Sequence, residues 1–435
     1  MLTTSIPGAI VGVSDTQDHL AARRTHAGGR PGPRLWRVDN PPVAPVAGSG
    51  VRALVTGSSG HLGEALVRTL RARGADVVGL DARPSPFTNV VGSVNDPDLL
   101  RELMTGVEVV FHMAALHKPQ LAFLPGKAFV DTNIGGTHTV LDAAVGAHVR
   151  AFVMTSSTTV FGDSLVPPSD MPAAWIDESV APVPKNLYGV TKSGAEDLCQ
   201  LAYRNDGLAC VVLRTSRFFA EGDDMPGQYD GRSDENVKAN EYAFRRVALE
   251  DAVDAHLSAA ERAPHLGFGR YVVSATTPFT RADMALLRTD AATVFARRAP
   301  FAAAVWNERG WRFPDRLDRV YVNARARRDL GWSPRFDLNA IAARVTRGES
   351  VQTPLSQAVG AKEYPGSSYH IGVFEPTDAN IVASAHHVPA SLAKQPVLRA
   401  ATMLPYTSGG GRRDHTVVAG VGAGRSHGHG RDGVR

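Results

Sequence analysis

Tyr188 and Lys192 stand four residues apart in a stretch, 186–204, that reads as a helix, so both side chains fall on one face. A phenol ordinarily ionises near pH ~10. A neighbouring ammonium lowers that value, and so does the positive charge of an oxidised nicotinamide. The tyrosine can then exchange a proton with a substrate hydroxyl near neutral pH. Lys192 can also hold the nicotinamide ribose by hydrogen bonds. Upstream, Ser156, Ser157, Thr158 and Thr159 follow an apolar strand, 151–155, where that strand should open at a ligand edge. A hydroxyl from there, best Ser157, would fix the same substrate oxygen. An isolated Y-x-x-x-K pair is usually a surface feature, so its meaning rests on the elements that position it.

The first of these elements is 51–63, VRALVTGSSGHLG: an apolar strand, three glycines and the start of an amphipathic run to Arg73. This is the context that a dinucleotide-binding glycine turn requires, although similar turns occur without a ligand. Gly57 would make the tight turn, Gly60 would admit a pyrophosphate, and Gly63 would let helix and strand touch. The helix N-terminus then presents N–H groups and partial positive charge to phosphates. A second apolar strand, 75–80, ends at Asp81. A carboxylate there accepts hydrogen bonds from ribose hydroxyls and repels a 2′-phosphate, which favours NAD over NADP. Arg83, two residues on, pulls the other way, and a turn residue is the plain alternative for Asp81. Apolar strands at 107–113 and 208–214 follow, the former running into the small residues Ala114 and Ala115; 126–147 looks helical and contains Asn133. Strands alternating with helices imply an α/β fold of the Rossmann type, a doubly wound parallel sheet covered on both faces.

The 435 residues suffice for two or three domains, with ordinary hydrophobic (43%) and charged (21%) content. The net charge of +4 is small and spread out, so no nucleic acid is expected as a partner. Cys199 and Cys210 make neither a disulfide framework nor a metal site, which suits a cytoplasmic setting. No run has the length of a membrane span, and the N-terminal residues lack the basic region of a signal peptide. Residues 1–50, rich in Pro, Gly, Ala and Arg, read as a disordered extension, with Val51 as an alternative start. The dinucleotide domain is expected over 51–215. The proline-bearing 166–185 reads as a loop, 220–236 as a polar substrate loop or lid, and 237–263 as a helix. A strand at 270–275, helices between 280 and 310, a short strand at 320–322 and helices at 324–330 and 338–346 complete a smaller mixed C-terminal substrate domain, 216–350. From 351 a low-complexity tail is expected. Its G-V-G-A-G at 420–424 has too little chain after it to build a helix and strand, and His427 and His429 there read as solvated, so no metal is expected.

Several motifs occur in order: TGSSGHLG at 56–63, HMAAL at 112–116, NIGGT at 133–137, SSTTVFG at 156–162, YGVTK at 188–192 and LGW at 330–332. With these, residues 51–348 resemble the extended short-chain dehydrogenase/reductase superfamily, in the NAD-dependent epimerase/dehydratase branch that includes UDP-glucose 4-epimerases. The resemblance implies NAD as cofactor, on or near Gly57, Gly60, His61, Leu62, Gly63, Asp81, Ala114, Ala115, Asn133, Tyr188 and Lys192. It implies Ser157, Tyr188 and Lys192 as the catalytic set; alignment on Val160 and Gly162 selects Ser157 over Ser156. It also implies a homodimer formed by the helices around 126–147 and 186–204. The chain departs from the family at three places. Gly92-Ser93-Val94 stands where an Asp is common near the adenine, leaving Ser93 or Val94 to meet the base. Phe161 replaces a common tyrosine. LRTSRFF at 213–219 lacks the F-N pair of sugar-nucleotide epimerases and brings Arg217 instead. Arg217 and Arg319 are candidates for an anionic substrate, with surface ion pairs as the plain alternative. Three functions follow: an epimerase or dehydratase acting on a small, sugar-like substrate or sugar nucleotide; a net dehydrogenase or ketoreductase on a non-sugar alcohol; or a non-catalytic NAD-binding regulator, against which the intact Ser-Tyr-Lys set argues.

Overall fold

The structure is a computed structural model that describes residues 50–220 and 231–362. The expected N-terminal extension, most of the expected lid, and the tail with its G-V-G-A-G, His427 and His429 lie outside these residues. Five apolar strands build the centre of a seven-stranded parallel sheet: β1 (Arg52–Thr56), β2 (Asp76–Asp81), β4 (Val109–His112), β5 (Ala151–Ser157) and β7 (Cys210–Thr215). The short β3 (Val90–Val91) and the longer β8 (Phe268–Val273) form its edges, and the order is β3-β2-β1-β4-β5-β7-β8. The chain winds outward from β1 to β3, returns to β4 and winds the other way. Such a reversal opens a crevice at the strands' carboxyl ends, the usual ligand position in doubly wound sheets.

The strands are apolar on both faces because both are covered. In β5, Val153 faces the helices α1 (His61–Ala72) and α7 (Leu249–Leu266). Its neighbours Phe152 and Met154 face α2 (Pro97–Leu103), α4 (Gly136–Gly146) and α5 (Leu187–Asp206). A short α3 (Gly126–Phe129) leads through a single π-helical stretch, Val130–Gly135, into α4.

Three features depart from the sequence expectation. First, the 166–185 loop contains β6 (Ala174–Ile176), which pairs in parallel with β9 (Arg319–Tyr321) as a second, two-stranded sheet. Three residues between prolines carry too little period to be seen. Second, the expected helix 237–263 is two helices, α6 (Asp234–Glu241) and α7. Between them the backbone pairs with the chain leaving β7 and β8: Arg217 N donates to Arg245 O, Val247 N to Arg217 O (2.9 Å) and Ala275 N to Arg246 O (2.8 Å). Apolar residues continue through this break, so periodicity alone ran across it. Third, a helix, Pro354–Val359, lies inside the expected tail; Glu250 accepts hydrogen bonds from Thr353 Oγ1 and Leu355 N, and Lys362 pairs with Glu64 on α1.

The helices α8 (Met284–Leu287), α9 (Ala291–Arg298), α10 (Pro300–Glu308) and α12 (Leu338–Thr346), with α11 (Ala324–Leu330) preceding α12, follow the expected pattern. All but α11 surround a second apolar core in which Phe295 and Phe313 stack at 4.1 Å. Among the described residues, no helix is long and apolar enough to cross a membrane, and no group of His, Cys, Asp and Glu is arranged to hold a metal.

Candidate active site

The glycine turn follows β1. Gly57 has φ +75°, a conformation that favours glycine, and its N–H donates to Leu80 O at 2.8 Å. A Cβ there would lie 2.7 Å from Ala114 N, and one on Gly63 would lie 2.0 Å from Gly57 O. These two glycines are therefore demanded by the close approach of the turn to the β4 exit and to α1. Gly60 is less constrained, with 3.3 Å to Gly57 O. His61, Leu62 and Gly63 supply first-turn N–H groups of α1, which an α-helix leaves without intrahelical partners. The Leu62 side chain itself belongs to the core, and the buried His61 ring lies 5.6 Å from that of Phe219. A strand end, tight turn and helix N-terminus packed this closely, with backbone donors facing outward, fit a dinucleotide pyrophosphate.

Asp81 ends β2 and accepts the amides of Ser59 and Arg83, each at 2.9 Å. The carboxylate thus braces the glycine turn at the carboxyl end of β2. Of the two residues expected near the base, Ser93 is exposed and its hydroxyl accepts Asn95 N. The Val94 side chain is buried against Gly136, leaving only its backbone to face a ligand.

Ala114 and Ala115 lie half-buried on the strap leaving β4. His112 anchors that strap's root. Thr137 Oγ1 donates to Asn133 O, so it accepts from His112 Nε2–H (2.9 Å), and His112 Nδ1 accepts from Thr56 Oγ1 (2.8 Å). Burial first, and then Lys192, push this imidazole down to about 3, so it is neutral. Asn133, in the π-helical stretch, donates to Leu116 O and Thr191 Oγ1 and accepts Leu116 N at 2.7 Å. Its amide is spent on tying the strap to α5.

β5 delivers two serines to opposite faces. Ser156 turns into the core and donates to Glu196 at 2.6 Å. Ser157 turns the other way, donates to Thr159 Oγ1 at 2.9 Å, accepts Thr159 N at 3.1 Å and stands beside the phenol of Tyr188. Asn186 caps α5 by accepting Gly189 N at 2.9 Å, which places Tyr188 in the first turn and Lys192 one turn on. Both are buried. Burial raises Tyr188 to about 12, with the nearby Ser157 hydroxyl opposing it. Within the chain, then, the phenol is raised, not lowered as expected, because desolvation of the phenolate outweighs its neighbours. Lys192 is lowered to about 8 by burial, with Glu196 and Cys199 opposing.

His117 was missed. Its ring lies 5.8 Å from that of Tyr188, and its backbone amide donates to Gln120 Oε1 at 2.7 Å. Burial first, then Lys192, His61 and Arg83, lower it to about 3. A lone histidine in a loop carries no sequence pattern that could have found it. The two substrate arginines do not converge on this cluster by any contact described. Arg217 pairs with Glu241 at 3.2 Å, sharing it with Arg245 (2.7 Å) and Arg246 (2.9 Å). Burial pushes the Glu241 carboxyl up, and the three guanidiniums outweigh it, holding it near about 2. Arg319 sits on β9 opposite Ala174, with its Nε buried and unbonded among the described residues.

A crevice at the sheet's switch point, a glycine turn at a helix N-terminus, and Ser157, Tyr188 and Lys192 on the strand end and helix beyond it are together in the fold. Residues 53–241 match the model of the NAD dependent epimerase/dehydratase family. An uncharacterized protein of Sinorhizobium fredii is 33% identical over 168 residues, 37% of this chain and 40% of that protein, so this chain spans less than half of that relative. A 3 beta-hydroxysteroid dehydrogenase/Delta 5→4-isomerase of Mycobacterium tuberculosis is 27% identical over 337 residues, covering 66% of this chain and 86% of that one. A UDP-glucose 4-epimerase of Rhizobium meliloti is 28% identical over 327 residues, covering 66% and 94%.

Proposed function

We propose that the chain is an NAD-dependent epimerase or dehydratase that acts on a sugar or sugar nucleotide through Ser157, Tyr188 and Lys192. The observation that carries this reading is the placement of Ser157, at the carboxyl end of β5, beside the buried Tyr188 in the first turn of α5, with Lys192 one turn further along. NAD, when bound, supplies the hydride acceptor and donor. The glycine turn holds the pyrophosphate by backbone N–H groups, and Asp81 faces the adenosine ribose. Ser157 Oγ holds the reacting substrate oxygen. Tyr188 Oη carries the proton exchanged with that oxygen, and positive charge beside it offsets the cost of its burial. Lys192 supplies part of that charge and holds the nicotinamide ribose. The similarity to a UDP-glucose 4-epimerase over most of that protein's length supports the substrate class.

A second reading, a net dehydrogenase or ketoreductase on a non-sugar alcohol, is favoured by two observations. Arg217, the expected phosphate contact, is engaged with Glu241, and a hydroxysteroid dehydrogenase is among the relatives. Nucleotide released from the purified protein by denaturation and separated by chromatography decides between them. Retained NAD supports the epimerase or dehydratase, which regenerates its cofactor each turnover. An empty site that exchanges nucleotide freely supports the dehydrogenase, and NADP in place of NAD overturns the role of Asp81.

The proposed assembly is a homodimer through α3, α4 and α5, whose outer faces expose Val130 and Val190 by 43% and 48%.

A further inference from the structure

Glu196 lies one helical turn beyond Lys192 on α5 and is 1% exposed. A carboxylate so far from water stays charged only if partners replace its hydration. Here they come from three strands. Ser156 Oγ, at the end of β5, donates at 2.6 Å. Arg214 on β7, itself 3% exposed, donates through Nε at 3.1 Å and Nη2 at 2.7 Å. Arg270 on β8 brings its Nε to 3.1 Å as an ion pair, while its Nη2 reaches Asp197 at 2.6 Å. None of these contacts involves the reacting atoms. Yet Ser156 is the residue next to Ser157, and Lys192 shares the helix with Glu196.

We propose that Glu196 is a positioning residue of this site: it fixes, through Ser156, the strand end that presents Ser157, and by its charge it keeps Lys192 an ammonium. The proposal rests on the Ser157–Tyr188–Lys192 reading and adds a residue that the reading does not contain. Burial drives Lys192 down to about 8, and Glu196 is the first of the groups opposing it, followed by Cys199. The other groups near the ammonium are neutral: His112, the last residue of β4, and His117, on the strap after it, are both held uncharged by burial. Tyr188 keeps its proton. The two guanidiniums on Glu196 compete with Lys192 for the same carboxylate. Removing the carboxylate therefore lowers the lysine, and removing one guanidinium raises it. A merely structural ion pair predicts neither shift.

The test uses the full chain and NAD itself. Affinity is read by tryptophan fluorescence from about pH 6 to about pH 10, where loss of the Lys192 proton should weaken binding along one limb. Lys192→Met should abolish that limb. If it does not, the reading of Lys192 fails, and the proposal with it. With the limb identified, Glu196→Gln should move its midpoint down by about one unit, and Arg270→Gln should move it up by about half a unit. Opposite shifts support the proposal. A limb that stays at the wild-type midpoint in a folded Glu196→Gln protein overturns it while leaving the Lys192 reading intact. If Glu196→Gln does not fold, Arg270→Gln decides alone: its side chain is partly exposed, an upward shift supports the proposal and an unmoved midpoint overturns it.

Discussion

At the scale of single residues, the site combines groups whose properties come from burial more than from their neighbours. Tyr188 is raised and Lys192 lowered, so the pair in the folded chain is a protonated phenol beside an ammonium that gives up its proton more readily than an exposed lysine. Tyr188→Phe removes only the proton carrier. Turnover on an identified substrate should fall by ~10²–10⁴-fold, the usual range for general acid–base catalysis, while the NAD dissociation constant should stay within a few-fold. Full activity in that variant would refute the catalytic assignment. Gly63→Ala tests the glycine turn. Its Cβ would meet Gly57 O at 2.0 Å, and both neighbours are backbone, so the turn must shift. A loss of ~1–3 kcal/mol in stability, the usual cost of overpacking, should accompany loss of NAD binding. Calorimetry and equilibrium dialysis measure the two effects. Both positions were legible because a glycine turn and a Y-x-x-x-K pair each sit in one short run of sequence. Arg217 was misleading for the opposite reason. Its partner Glu241 lies 24 residues away, on a helix whose placement no local pattern announces.

Among the elements, the alternation of strands and helices was readable because each central strand is apolar on both faces. What could not be read depends on pairing at a distance. β6 is three residues long and exists only because β9, some 145 residues later, gives it a partner. The break between α6 and α7 exists because 242–248 pairs with the chain ends of β7 and β8. Glu241 stands at that break and gathers Arg217, Arg245 and Arg246. Its folded value near about 2 lies below the ordinary 4.5, so its contribution is whole above 4.5 and is lost as pH falls toward 2. Glu241→Gln should cost ~3–5 kcal/mol at neutral pH by leaving buried guanidiniums unpaired, and should remove that acid-side dependence. Urea unfolding at neutral and acid pH checks both, and an unchanged midpoint at neutral pH would contradict the role given to Glu241.

For the molecule as a whole, stability should fall on the acid side well before the carboxylates are lost. His112 and His256 are fully buried and held at about 3 and about 4, below their ordinary 6.5. His256 Nε2 is fixed by Thr155 Oγ1 at 2.7 Å, and its Nδ1 by Ala252 O at 2.7 Å. The contribution of each is whole above 6.5 and is lost as pH falls through the folded value. Asp251, raised by burial to about 6 from 3.8, runs the other way: its contribution is whole below 3.8 and is lost as pH rises through 6. Two histidines against one aspartate leave a net loss of order ~2–4 kcal/mol between about pH 7 and about pH 5. Chemical denaturation at the two pH values should show it. Light scattering at micromolar concentration tests the proposed dimer, and a monomer there would remove α3–α5 as an interface.

The order in which the sheet is covered bears on how the chain can be made. α5, which carries Tyr188 and Lys192, covers one face as soon as it is synthesised. The opposite face, including Val153, Val211 and Leu213, is shielded by α7, which is completed only at Leu266. During synthesis α1 alone covers this apolar face, and the part that α7 will shield is open after the residues of the site have already emerged from the ribosome. A fragment cut where the family match stops, at residue 241, would keep every one of the Ser157, Tyr188 and Lys192 groups and still offer that face to other chains. Chaperone demand, and not catalytic composition, then sets the shortest piece of this protein that can be handled in solution.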